Sequence, residues 1–121
     1  MDGQLKKELS DWGVDLTDAL ERFMGNEDLM EKFLIKFRED PNMGLLEEAL
    51  KARDAKEAFK ACHALKGVAG NLSLNGFLQE VRDLTEILRA DSLEGAQEKF
   101  DTIRTKQEAL LAIINRYEGN S

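Results

Sequence analysis

Apolar residues recur three and four positions apart along almost the whole of this chain, and no run alternates apolar with polar as a half-buried strand does. The pattern predicts helices over about 5–12, 16–23, 26–39, 43–52, 55–72, 76–90 and 93–117. The first two are short and read as covers for something larger. The segment 26–39 opens on Asn26 as an N-cap and sets Glu27 and Asp28 at its positive end. It runs an apolar ridge of Leu29, Phe33 and Phe37, and must stop before Pro41. Leu45, Leu46, Ala49 and Leu50 make a brief helical stretch, after which Asp54, with Glu57 three residues on, caps the next helix. Beyond the Asn75-Gly76 break lies a stripe of Phe77, Val81, Leu84 and Leu88. The last helix starts from Ser92 and carries Leu93, Ala96, Phe100, Ile103, Gln107, Leu110, Ile114 and Tyr117. Sustained for about 25 residues, it should be close to 40 Å long.

Four helices of more than a dozen residues, joined mostly by short loops, predict an all-α fold: an antiparallel up-down four-helix bundle with short N-terminal covering helices. A long coiled-coil dimer would need its heptads to run across Pro41 and Asn75-Gly76, and they do not. At 121 residues the chain is the size of one domain, 1–121, and a monomer is expected. A net charge of −7 argues against nucleic-acid and anionic-membrane partners, because phosphate surfaces are held by clustered Lys and Arg. No apolar run approaches the roughly 18 residues of a membrane span, and the first residues lack the apolar stretch of a signal peptide. A cytoplasmic protein is expected; the single cysteine, Cys62, excludes an internal disulfide.

The helix 55–72 holds the candidate chemistry. At about 100° per residue, Ala58, Cys62, Leu65, Ala69 and Leu72 fall within about 40° of one line and form its core stripe, which makes Cys62 a small buried apolar residue. His63, the chain's one histidine, lies about 140° from that line and should face solvent. Lys66, Gly67 and Gly70 follow at i+3, i+4 and i+7 on the same side. A glycine inside a helix costs about 1 kcal/mol relative to alanine, so two on one exposed face need a compensating gain. Clearance for another macromolecule is the simplest; fraying or packing against a neighbouring helix is the plainer reading for either glycine alone. Lys56, Lys60 and Lys66 put positive charge on this side of an acidic protein, as a dianionic phosphoryl group requires. For Lys56 and Lys60 a solvated helix face is the better reading, whereas Lys66 is one turn from the imidazole. Phe59, one turn before His63, would serve docking, with Lys56 and Lys60 beside it.

The run His63-Ala64-Leu65-Lys66-Gly67-Val68-Ala69-Gly70-Asn71-Leu72 resembles the H-x-L-K-G-x-x-x-x-L signature of histidine-containing phosphotransfer (HPt) domains of two-component phosphorelays. Val14-Asp15-Leu16 through Phe37, with Phe23, Gly25, Asn26 and Glu27 between, also resembles that family's approach to its first bundle helix, so the likeness runs from about Trp12 to the last helix. The resemblance implies a four-helix bundle with an exposed phospho-accepting imidazole. It implies that His63 takes the phosphoryl group, that Lys66 offsets its charge, and that Gly67 and Gly70 leave room for a receiver domain. The implied partners are response-regulator receiver domains and a hybrid sensor histidine kinase. Two positions depart from the family: Ser73 stands where many members have Gly, and Thr85 where many have Glu or Gln on the next helix, near the imidazole.

An ordinary exposed imidazole is largely neutral at cytosolic pH and can attack an aspartyl phosphate with no general base. No cofactor of the chain's own is expected, and the Mg²⁺ such a transfer uses belongs on the receiver, whose carboxylates can bind it. The chain lacks a G-x-x-x-x-G-K-[ST] loop, so it is expected to be a phosphoryl carrier without ATP-dependent kinase activity. The neighbours of His63 at i±3 and i±4 are Lys60, Phe59, Lys66 and Gly67, which supply neither a catalytic dyad nor, with Cys62 about 100° away, a metal site. The rival reading is a helical adaptor bundle that docks a receiver or kinase domain without carrying phosphate; a third is a domain of a chemotaxis-type kinase, with the same chemistry and another phosphate source.

Overall fold

The breaks in the hydrophobic pattern become helix boundaries through identifiable side-chain and backbone chemistry. Asp2, Asp15, Asn26 and Asp54 each precede a helix in extended backbone and accept N–H bonds from its first turn, at 2.7 Å from Gln4 and 3.1 Å from Leu5, 3.1 Å from Asp18, 3.0 Å from Leu29 and 3.1 Å from Glu57 respectively. The computed structural model describes residues 1–118. Its helices are α1 (Gly3–Trp12), α2 (Leu16–Arg22), α3 (Glu27–Lys36), α4 (Asn42–Lys51), α5 (Ala55–Asn71), α6 (Asn75–Arg89) and α7 (Ala96–Glu118), with one 3-10 turn, Phe37–Glu39, after α3. No strand forms among these residues, and no helix is long and apolar enough to cross a membrane.

The fold is an all-α bundle. Three-residue links at 52–54 and 72–74 turn the chain back on itself, so α4 packs on α5 and α5 on α6; α6 packs on α7, and α4 also meets α7 to close the ring. α1 lies along α7, while α2 bridges α1 and α3. The bundle therefore differs from the expectation of four long helices. The segment 26–39 gives only ten α-helical residues before the 3-10 turn, and α4, read as a brief stretch, supplies a wall of the core through Met43, Leu46, Ala49 and Leu50. α3 and α4 both touch α7, and Pro41 separates them.

The stripes expected on α5 and α6 are buried throughout, and on α7 Ala96, Phe100, Ile103, Leu110 and Ile114 face the core. The ridge expected on α3 is corrected. Leu29 and Phe33 are 38% and 43% exposed, and the buried side is Met30 and Leu34, continued by Phe37. Leu45, at 56% exposed, likewise faces outward. The last helix also starts later than Ser92: the Ser92 hydroxyl accepts from Glu94 N–H in a local turn, Gly95 takes a left-handed φ of +75°, and the helix begins at Ala96. Its 23 residues span about 35 Å rather than 40.

Gly76 does more than punctuate the chain. It sits against Gly13 so closely that a Cβ on Gly13 would lie 2.5 Å from its Cα, and a Cβ on Gly76 would strike the Trp12 carbonyl. Gly76 N–H donates to the Gly13 carbonyl at 3.1 Å and Asp15 N–H to that of Ser73 at 3.0 Å. Trp12 completes the lock, its indole N–H donating to the Lys106 carbonyl at 2.8 Å and its ring meeting Phe77 edge-on. The corner between α1 and α2 is thereby fixed to the α5–α6 turn, one end of the helix that carries His63.

Candidate functional site

Burial of Ala58, Ala61, Cys62, Leu65 and Ala69 against α4 and α6 sets the rotation of α5, and that rotation turns His63 outward. The imidazole is exposed and hydrogen-bonds to no other described residue. Among the described residues its one ring contact is with Phe59, a turn earlier: the two planes lie 21° apart with centroids 5.6 Å apart. Phe59 is half-buried, and the guanidinium carbon of Arg89, from α6, stands 4.9 Å from its ring centre. Arg89 is held in turn by Glu86, whose two carboxylate oxygens accept from its Nε at 3.3 and 3.2 Å.

On the other side of His63 along α5, Lys66 is half-buried and lines a groove with Gly67, Gly70 and Asn71. Arg82 and Glu86 reach this groove from α6 and Arg22 from α2. Neither Lys66 nor Arg82 forms an ion pair among the described residues, and Arg22 pairs with Asp18 at 3.1 Å. A Cβ built on Gly67 or Gly70 would meet nothing within 4 Å. These glycines thus leave open surface and do not accommodate a neighbouring helix. A larger apolar hollow of about 670 Å³ adjoins the groove, sharing Arg22 and Asn71 with it and walled by Phe23, Phe33, Phe37, Val68 and Leu72.

Several expected members fall elsewhere. Lys60 is tied to Glu57 on its own helix at 3.0 Å, an exposed pair of small energetic weight. Lys56 lines a separate hollow at the start of α5, with Asp54, Asp91 and Leu93. Thr85 is fully buried, donates its hydroxyl to the Val81 carbonyl at 2.7 Å, and lies 3.2 Å from the Cys62 sulfur. Burial pushes the Cys62 thiol above its ordinary pKa, in keeping with an inert core residue. Ser73 takes a left-handed φ of +53°, where glycine is at ease, and its hydroxyl donates to Asp18 at 2.5 Å. That bond and, after it, the one from Arg22 hold the Asp18 carboxyl below its ordinary range. Arg22, Arg82, Glu86 and Arg89 were missed at the sequence level. Arg82 and Arg89, seven residues apart on one edge of the α6 stripe, carried a usable signal, whereas the approach of Arg22 depends on how α2 docks.

The model of the family described as Hpt domain matches residues 28–115, well over half of the chain. The match begins inside α3 rather than at Trp12, leaves α1 and α2 outside, and takes in all of α5 and α6. No curated protein and no solved structure matches the chain. On that match, and with an all-helical bundle that fits it, the chain belongs to the Hpt domain family, the phosphocarrier modules of two-component signalling.

Proposed function

We propose that His63 accepts a phosphoryl group from the aspartyl phosphate of one receiver domain and passes it to the aspartate of another. The observation that carries this reading is an exposed imidazole, unbonded among the described residues, with an unpaired ammonium one turn along and two glycines beyond it. In the forward step a ring nitrogen lone pair forms the N–P bond while the acyl phosphate P–O bond breaks, and the aspartate leaves as carboxylate with the electron pair. No base has to remove a proton from the attacking atom. The reverse step, on a second receiver, regenerates the free histidine.

Lys66 places positive charge within reach of the transferred group, and Arg82 and Arg22 extend that charge along the groove. Gly67 and Gly70 let the backbone of a receiver loop come close to α5. Residues beyond the groove serve docking, with the apolar hollow at Phe23 and Phe33 favoured by its continuity with it; Lys56 and Lys60, outside both, add exposed positive charge to α5. The Mg²⁺ of the transfer is expected on the receiver, and the bundle itself works as a cytoplasmic monomer without a cofactor. A hybrid sensor histidine kinase is the class of donor such a carrier serves.

The test is to compare the chain with its His63→Gln form after incubation with phosphorylated receiver domains. The wild type should take up acid-labile phosphate, while the variant keeps its helical spectrum and takes up none. Equal uptake by the variant would remove His63 from the mechanism; docking without uptake by the wild type would leave an adaptor.

A further inference from the structure

We infer that Phe59 is a positioning residue for His63: its ring, braced from α6 by Arg89, holds the plane of the imidazole in the orientation that in-line transfer requires. The inference rests on the reading of His63 as the phosphoryl carrier and goes beyond it. A nucleophile on a rotatable side chain is effective only when its lone pair points along the line of attack, and small misplacements cost large factors in rate. An imidazole on a helix is usually steadied by a hydrogen bond to one of its nitrogens. Here no described residue supplies one. Thr85, the position on α6 where a polar side chain could be sought, is sealed in the core with its hydroxyl already donated to the Val81 carbonyl.

The near-parallel stack with Phe59 is the contact that fixes the ring. Stacking restrains the ring plane while leaving both nitrogens unbonded, so the attacking lone pair is oriented without being occupied. Phe59 would itself be a loose support if it were fully exposed. Instead it is half-buried, and Arg89 lies over its ring in cation-π range. Glu86 adds only an exposed ion pair to the guanidinium, so the support comes from the ring contact itself. The half-buried Phe59 ring, with a guanidinium from α6 over it, thus supports the His63 side chain along α5.

Phe59→Leu removes the ring and keeps an apolar side chain; Phe59→Tyr and Phe59→Trp keep a ring; Arg89→Ala loosens the brace. The first readout needs no partner. In wild-type protein the carbon-bound ring protons of His63 should resonate away from free-histidine positions because of the Phe59 ring current, should return toward them in Phe59→Leu, and should stay displaced in Phe59→Tyr. The second readout is transfer from a phosphorylated receiver. Phe59→Leu should lower the rate at saturating receiver by about tenfold or more, with little change in the receiver concentration giving half that rate. Phe59→Tyr or Phe59→Trp should restore most of the rate, and Arg89→Ala should lower it less than Phe59→Leu does.

A third arm uses phosphoramidate, in which the histidine nitrogen forms the N–P bond as the donor's own P–N bond breaks and its nitrogen leaves as ammonia. This small donor approaches from any direction, so labelling should be alike in wild type and Phe59→Leu, showing that the imidazole remains intact and accessible. A raised half-saturating concentration with an unchanged saturated rate would make Phe59 a docking residue and overturn the inference. So would wild-type ring protons at free-histidine positions. If no receiver phosphorylates the wild type, the carrier reading fails, and the resonance comparison still decides whether Phe59 orients the ring.

Discussion

A methyl group added at Gly67 should make this protein more stable and a slower carrier, and the two effects can be sized separately. Alanine in a helix interior is favoured over glycine by about 1 kcal/mol. At Gly67 nothing lies within 4 Å of the new carbon to offset that gain. For a chain of 121 residues the midpoint of thermal unfolding should rise by roughly 4 °C. Leucine has nearly the helix preference of alanine, so Gly67→Leu should gain almost as much while placing a full side chain where a receiver loop has to approach. If clearance is the reason for the glycine, transfer from a phosphorylated receiver should fall several-fold with Ala and further with Leu. A tenfold loss corresponds to about 1.4 kcal/mol in the barrier, the same order as the folding gain, so stability would be traded against access. Thermal denaturation and quench-flow transfer on the same three proteins make the check. Transfer that is unchanged or faster in Gly67→Leu would refute the clearance account, and so would a lower midpoint in Gly67→Ala.

Three further outcomes follow from the packing. Leu34→Ala should cost about 2–5 kcal/mol in urea unfolding, and Leu29→Ser less than about 1, because the first is buried and the second over a third exposed; equal costs would contradict the assignment of the α3 core face. The Asp18 carboxyl is held below its ordinary 3.8 by Ser73 and then Arg22, so its contribution to stability is present above that value and is lost as the pH falls through the lower folded-state value. Asp18→Asn should therefore be less stable than wild type at pH 6, the gap narrowing steadily below pH 4, and a gap independent of pH would remove Asp18 from the acid transition. The Cys62 thiol, fully buried and raised in pKa by that burial, should react with a water-soluble disulfide reagent only at the rate of unfolding; prompt labelling in native buffer would contradict its place in the core.

How far the sequence could be read depended on whether one helix or several decided the matter. On α5 the apolar stripe and the exposed face are both fixed by the 3.6-residue period, so the outward turn of His63, Lys66, Gly67 and Gly70 was legible from spacing alone. On α3, Leu29 beside Met30 and Phe33 beside Leu34 offer two apolar stripes about 100° apart. The choice between them is made by packing against the rest of the bundle, which period does not encode. Ser92 read as the start of the last helix because serine is at home in both turns and first helical turns, and the left-handed Gly95 moved the start of α7 past it. Thr85, placed by resemblance beside the imidazole, is fully buried, and its short hydroxyl satisfies itself on its own helix. The groove cations Arg22 and Arg82 come together across three helices, and Arg89 reaches Phe59 only once α5 and α6 are packed.

The central claim is that the phosphoryl group resides on His63, and locating it covalently is the most direct measurement. The chain, phosphorylated by a receiver domain and digested at neutral pH so that the N–P bond survives, should carry a single phosphate on the peptide containing His63, lost on brief acidification and chased by a second, unphosphorylated receiver. Phosphate on any other residue, or a phosphopeptide stable to acid, would contradict the account.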